Sequence, residues 1–278
     1  MTEPVLTAEW IKTFASYDCI YVGFSGGLDS TVLLHALANE PQLIDKIHAV
    51  HINHGLSIHA HAWQVHCQKI CMELHIPCQI IPVFFNRHAN IEEQARNARY
   101  LAFAQLVQVN QCLLTAHHQD DQAETLLLHL FRGAGVRGLT GIAKTLAFSG
   151  GNLHRPFLLI SRATLLSYAQ LHQLSWIDDE SNCDSHFSRN FIRQHVLPVL
   201  QTRWPAISVN LARTSELCRQ AQSNLDELAE IDYPASARPT ELPLQSLNQL
   251  SESRLSNVLR YWLQRNGMRL PNYKIQIG

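Results

Sequence analysis

The 278-residue chain has no CxxC pair; its seven cysteines stand apart at positions 19, 67, 71, 78, 112, 183 and 218. Most fall in apolar helix or strand patterns, so they are expected to be reduced, buried thiols of a cytosolic protein. No apolar run approaches the roughly 18 residues that a membrane span needs. The opening MTEPVLTAEWIK carries acids and lacks the apolar core of a signal peptide, so export is not expected. Internal repeats and low-complexity tracts are absent as well. What remains is an ordinary globular composition, 46% hydrophobic and 16% charged, in a length that suits one or two domains.

Lysine is scarce in the second half of the chain, where Lys144 and Lys274 are the only two. Residues 1–130 hold 6 Lys/Arg against 12 Asp/Glu, whereas residues 131–278 hold 16 against 11. The basic half is therefore an arginine half. Arginine suits phosphates and stacked bases because its planar fork donates in pairs. An excess of this size is equally that of solvated helix faces, so charge alone decides nothing.

From residue 19, short β-rich runs alternate with longer helical patterns. Strands are expected at Cys19–Phe24, Lys46–Ile52, Cys78–Val83 and Cys112–Ala116. Helices are expected between and after them, at Ser30–Asn39, His59–His75, Ile91–Val109 and Gln119–Arg132. This order, with near-continuous apolar strands, predicts an α/β fold, a doubly wound parallel sheet covered on both faces. Ligands of such sheets sit beyond the strand C-termini where the strand order reverses. After Gly133–Gly138 the pattern breaks, and a hairpin around Ser149-Gly-Gly-Asn152 is expected within Ala143–Leu159. Helices follow at Ser161–Gln173, Ser188–Arg203, Pro205–Ile231 and Ser251–Asn266, with a Pro-rich linker at Tyr233–Pro243. Two domains are expected, an α/β one over 1–212 and a mostly helical one over 213–278. The last residues, Asn272–Gly278, form no evident ending, so the chain is expected to be cut short of a longer protein.

The sharpest local feature is the first strand-to-helix turn, Ser25-Gly26-Gly27-Leu28-Asp29-Ser30. Adjacent glycines let backbone N–H groups converge on an anion, and a helix N-terminus adds a favourable partial charge. Ser30 or Asp29 is placed to cap that helix. A glycine pair before a helix is also a plain tight turn. The string lacks the lysine of GxxxxGK[ST] and is not GxGxxG. It is similar to the SGGxDS loop of the ATP pyrophosphatase (PP-loop) superfamily, which implies that residues 25–30 hold the pyrophosphate of ATP.

Further segments narrow the resemblance. They are His51-Ile-Asn53-His54-Gly-Leu56, Ala95-Arg96-Asn-Ala-Arg99-Tyr100 and Thr115-Ala-His117-His118-Gln-Asp120-Asp121-Gln-Ala-Glu124-Thr125. Asp179-Glu-Ser-Asn-Cys-Asp184 and Ser188-Arg189-Asn-Phe-Ile-Arg193 come later. Together they resemble the tRNA(Ile)-lysidine synthetase family over about residues 18–215, and more weakly over the last sixty.

Each segment also has its own physical reading. Asp121 and Glu124 are three apart and Asp120 and Glu124 four apart, so each pair can share a helix face. Acids in a first turn are often only dipole partners; beside ATP, at least one of Asp120, Asp121 and Glu124 is expected to hold Mg²⁺, with Asp29 a further candidate. Arg96 and Arg99, three apart, can serve one phosphate or pair with Glu92 or Glu93. The histidines at 51, 54, 59, 61 and 66 fit no tight tetrahedral metal site. By resemblance, His51, Asn53, His54 and His117 line the ATP crevice, Arg132 and Arg137 contact tRNA, and Arg189 and Arg193 contact tRNA or ATP. Phe187, Phe191 and Trp204 have the spacing of core aromatics, although such rings can also stack a base.

The resemblance implies an ATP-dependent ligase in two steps. The wobble cytidine O2 of an isoleucine tRNA with a CAU anticodon attacks the α-phosphate of ATP, and pyrophosphate leaves. The lysine amine then attacks C2, releasing AMP. Asp29, Asp121, Arg96 and Arg99 are the expected catalytic residues. The amine must first lose a proton, which costs about 4–5 kcal/mol at pH 7. A tRNA 2-thiolation enzyme of the same superfamily is an alternative, disfavoured by the lack of CxxC. A glutamine-amidotransferase partner lacks a visible second catalytic domain, and a non-catalytic tRNA-binding adaptor is disfavoured by intact SGGxDS and HHxDD strings. Pairing of the chain with itself, as a homodimer, stays open.

Overall fold

A computed structural model describes residues 4–55, 57–85, 91–178, 188–233, 242 and 247–268, with the side chain of Glu92 left out. By its internal contacts the chain forms two compact units, 1–132 with 141–213, and 133–140 with 214–278. The segment 179–187, Phe187 included, the linker 234–241 and the last ten residues lie outside the description, as does Leu56.

The first unit is built on a six-stranded sheet of order β3-β2-β1-β4-β6-β5. Its strands are β1 (Cys19–Gly23), β2 (Ile47–Asn53), β3 (Cys78–Pro82), β4 (Gln111–Leu114), β5 (Thr145–Phe148) and β6 (Gly151–His154). All neighbours pair in parallel except β5 and β6, the hairpin expected around Ser149–Asn152. Ser149 takes φ +52° at its tip, a conformation that a hairpin turn needs.

A helix absent from the sequence reading precedes the sheet. In α1 (Ala8–Ala15) the Thr7 side chain caps the Trp10 N–H, and Trp10 and Phe14, one turn apart, are buried. The other helices beside the sheet are α2 (Leu28–Ala38), α3 (Ala60–Glu73), α4 (Ile91–Leu106), α5 (Gln119–Phe131) and α6 (Arg162–Leu171). One apolar cluster joins Ile20, Val22, Ile47 and Ala49 to α1, α2, α3 and α6, through Phe14, Leu33, Cys67 and Leu165. A second joins Val50, Leu113 and Leu153 to α4 through Ala102 and Phe103. The two clusters lie on opposite faces of the sheet, which is why its strands read as continuous apolar runs.

Strand order makes the site. From β1 the chain winds outward through β2 and β3, then returns to place β4 on the other side of β1. The switch point therefore lies between the ends of β1 and β4, where Val22 sits opposite Leu114. The loops that leave those two ends carry the SGGLDS and TAHHQDD strings.

The region expected as one helix over 188–203 is three pieces: α7 (Ser188–Phe191), a π-helical stretch Ile192–Val196 and α8 (Leu197–Arg203). Pro198 explains the break. It has no N–H to give to the carbonyl four residues back, and its ring crowds that carbonyl. Among the described thiols, Cys67, Cys71 and Cys112 are buried, while Cys19, Cys78 and Cys218 are only half-buried, and all are free.

A long helix, α9 (Ile207–Asp232), begins in the first unit and continues in the second, which also holds the helix Glu252–Arg265. Ala229, Tyr233, Leu247 and Val258 form the second unit's small core. Arg219 donates to the Thr140 carbonyl at 2.6 Å and Arg137 pairs with Asp226, so segment 133–140 is tied to α9. Among the described residues, no helix is long and apolar enough to cross a membrane.

Candidate active site at the β1–β4 switch point

After Gly23 the chain turns through Ser25–Gly27 and enters α2. Gly26 takes φ +81°, and a Cβ there would stand 2.8 Å from Ile177 Cδ1 and 2.9 Å from Cys67 Sγ. Only glycine fits that position. The expected cap is corrected: Gly27 is the N-cap and, having no side chain, makes no side-chain cap bond, while Asp29 and Ser30 lie inside the first turn. The Ser30 hydroxyl turns back to the Gly27 carbonyl at 3.0 Å and reaches Ser25 Oγ at 3.1 Å. The loop is thus braced by its own hydroxyls. The first N–H groups of a helix have no partner within it, and a helix N-terminus favours negative charge.

From β4, Thr115 Oγ1 meets His117 Nδ1 at 2.9 Å, and His118 becomes the N-cap of α5. The His118 backbone N–H donates to Asp121 Oδ2 at 2.9 Å, and the Asp120 N–H donates to His118 Nδ1 at 3.3 Å. His118 Nε2 stands 3.5 Å from both Asp29 Oδ2 and Asp121 Oδ2. Asp29 and Asp121, remote in sequence, are thus gathered about one ring. Asp29 Oδ1 is buried and has no hydrogen-bond partner.

The arginines Arg189 and Arg193, on one face at i, i+4, close on the acids of α5. Arg189 reaches Glu124 Oε2 and Asp121 Oδ1, both at 2.7 Å. Arg193 reaches Glu124 Oε1 at 2.6 Å and Asp121 Oδ1 at 3.3 Å. Both oxygens of Glu124 are engaged, and its carboxylate is fully buried.

Electrostatics follow this geometry. Burial alone would raise the Asp121 pKa, but His118, Arg189 and the His118 N–H hold it well below the carboxylate range. Burial would lower His118, yet Asp29, Asp121 and Asp120 outweigh it and raise its pKa. Burial brings His117 down to about 3, with Arg155, Arg189 and Arg99 adding to the effect against Asp121. His54 falls to about 4 through burial, then through Arg99 and His51. At neutral pH, His54 and His117 are therefore uncharged.

The remaining expected residues are spread more widely. His51 is buried, with Nδ1 3.0 Å from the Phe24 carbonyl and 3.3 Å from Cys67 Sγ, so it braces the loop from beneath. The Asn53 side chain caps the Gly55 N–H at 2.9 Å. Arg96 and Arg99 both lie over the Tyr100 ring, at 5.6 and 5.9 Å. Of the residues given to tRNA, Arg132 is exposed at the end of α5, Arg137 pairs with Asp226, and Arg189 and Arg193 are held by acids. Phe191 and Trp204 are not core: they are 49% and 54% exposed. Phe191 lies against the His195 ring and Trp204 beneath Arg203. The role of His118 went unread, because only the fold sets its ring between two acids.

Residues 5–200 match the model of the PP-loop domain family, and residues 242–276 that of the TilS substrate binding domain. The chain is 46% identical over 275 residues to the tRNA(Ile)-lysidine synthase of Legionella pneumophila strain Lens, covering 99% of this chain and 64% of that protein. It is 47% identical over 253 residues to that of Pseudomonas fluorescens, covering 87% and 57%. The Coxiella burnetii tRNA(Ile)-lysidine synthase matches at 41% over 274 residues, covering 98% and 61%. The chain thus spans about 60% of the length of these curated relatives. Among solved structures, the U34-tRNA thiolase NcsA of Methanococcus maripaludis matches with a TM-score of 0.61 at 18% identity, covering 77% of this chain and 76% of that one. At that identity the likeness is one of fold.

Proposed function

Since the chain belongs to the PP-loop domain family, we propose that it carries the ATP-dependent chemistry of a tRNA(Ile)-lysidine synthetase. The substrates are ATP, L-lysine and an isoleucine tRNA with a CAU anticodon, met in the cytoplasm. The observation that carries this reading is the meeting of the Ser25–Ser30 loop and the His117–Asp121 turn at one switch point.

In the first step the wobble cytidine O2 attacks the α-phosphorus of ATP and the bond to pyrophosphate breaks. The N–H groups at the start of α2 and the Gly26–Gly27 backbone stabilise the departing charge. In the second, the lysine ε-ammonium gives up a proton to solvent, the free amine attacks C2, and AMP leaves with the former O2. Asp121, kept anionic by Arg189 and His118, is suited to hold the incoming ammonium. Arg96 and Arg99 are suited to the AMP leaving group, and exposed Arg132 to a tRNA phosphate.

The donor set fits Mg²⁺. Asp29 Oδ1 is a buried carboxylate oxygen without a partner, and Asp121 lies beside it across His118. Both oxygens of Glu124 are taken by arginine, and those of Asp121 already accept from Arg189 and the His118 N–H, so Asp29 Oδ1 is the open donor, with Asp120 nearby. Among the described residues no three of His, Cys, Asp or Glu are grouped for a metal, so the ion would rely on phosphate oxygens and water, as Mg²⁺ commonly does. When bound, it supplies charge neutralisation on the phosphates.

Pyrophosphate release tests this reading. With ATP, Mg²⁺, lysine and the CAU isoleucine tRNA, release is expected from the native chain and lost by at least 100-fold in Asp121→Asn. Equal release by both proteins would refute the assignment.

A further inference from the structure

His118 contributes to the site without lying where a substrate must. It is 2% exposed, and its two ring nitrogens do different work. Nδ1 faces the Asp120 N–H at 3.3 Å, capping α5. As an acceptor Nδ1 is unprotonated, which leaves the proton of the neutral ring on Nε2. Nε2 then stands between Asp29 Oδ2 and Asp121 Oδ2, 3.5 Å from each. Asp29 belongs to the first turn of α2 and Asp121 to the first turn of α5, so the ring stands at ion-pair distance between the helices that leave the two central strands.

The link has a consequence for Asp29. With Oδ2 directed at the ring, Oδ1 is left buried and unpartnered. A bare buried carboxylate oxygen is costly, and two carboxylates beside each other repel. The arrangement is satisfied when Oδ1 meets a cation and the Nε2 proton separates the acids. Ligating carboxylates are commonly held from behind by a neighbouring donor, and losing the holder weakens metal binding about 10–100-fold.

We propose that His118 is a positioning residue: its Nε2–H holds Asp29 against Asp121 so that Asp29 Oδ1 faces the cation that accompanies ATP. The proposal rests on the ATP·Mg²⁺ reading of this site. It assigns to His118 no contact with ATP, tRNA or lysine.

Two substitutions separate the ring's two jobs. His118→Gln places an amide donor near the Nε2 position and loses the acceptor for the Asp120 N–H. His118→Asn keeps that acceptor, and so the cap, but its donor stops short of Asp29. Mn²⁺ binding in the presence of a non-hydrolysable ATP analogue, followed by electron paramagnetic resonance at pH 8, reads the site without turnover. Thermal unfolding of each variant reads the fold.

Gln is expected to bind Mn²⁺ within about 3-fold of the native chain, and Asn about 10-fold or more weakly while unfolding near the native temperature. The double variant Asp29→Asn/His118→Asn is expected to bind no more weakly than Asp29→Asn alone, because His118 acts through Asp29. Native binding in Asn with loss in Gln would reduce His118 to a cap and overturn the proposal. Equal binding in all variants, equal loss in both single variants, or an additive double variant would overturn it as well. Absence of ATP-dependent Mn²⁺ binding in the native chain would instead overturn the ATP·Mg²⁺ reading beneath it.

Discussion

Glu124 Oε1 lies 2.6 Å from Arg193 Nε, and the carboxylate that bears it has no exposed surface. Arg189 takes the other oxygen at 2.7 Å. A buried carboxylate with two guanidinium partners fixes α5 against α7 and the π-helical turn, alongside the apolar contact of Ala123 and Leu127 with Ile192 and Leu197. Removing one side of such a pair leaves the other charge uncompensated. Glu124→Gln is accordingly expected to lose about 3 kcal/mol or more in denaturant unfolding. An unchanged midpoint would show that the arginines find other partners.

The two glycines of the phosphate loop are predicted to differ. Gly26→Ala places a methyl group in a left-handed backbone and within 3 Å of Ile177 and Cys67. It is expected to destabilise the fold by at least about 1–2 kcal/mol and to weaken ATP binding more than 10-fold. Gly27 has φ −76°, and an added Cβ would meet Ser25 Oγ only at 3.4 Å, so Gly27→Ala is expected to unfold within about 0.5 kcal/mol of the native chain. Matched unfolding and ATP titrations distinguish the two; equal losses would refute the distinction.

Much of this arrangement was legible in the sequence. Apolar runs and β-α alternation located β1 to β4 and the helices between them. The SGGLDS and HHQDD strings marked two strand ends, and doubly wound topology brings such ends together. Other features are tertiary. Nothing local says that Arg189 and Arg193 meet Glu124, since i, i+4 spacing fixes a shared face and not its partner. The Ser30 cap was misplaced because the loop's hydroxyls brace Gly27 instead. Helix α1 was overlooked because it is only 8 residues long.

Acid sensitivity is a further expectation. His154 is buried, 2.8 Å from the Tyr17 hydroxyl and 3.0 Å from Thr145 Oγ1, and burial lowers its pKa to about 4. The unfolded chain binds this proton below pH 6.5, whereas the folded chain does so only near pH 4. Stability from this group is therefore complete above pH 6.5 and is lost as the pH falls towards 4. At pH 5 the loss is about 2 kcal/mol for this residue. Denaturant unfolding at pH 7 and pH 5 is expected to show a smaller drop in His154→Gln than in the native chain. Equal drops would refute the assignment.

The central claim is best tested on the tRNA itself. An isoleucine tRNA with a CAU anticodon is incubated with the chain, ATP, Mg²⁺ and L-lysine, then digested to nucleosides for mass analysis. The account predicts that the wobble cytidine gains a lysine only when both ATP and lysine are present, and not with Asp121→Asn. A cytidine left unchanged, with no pyrophosphate released and no ATP bound, would contradict it.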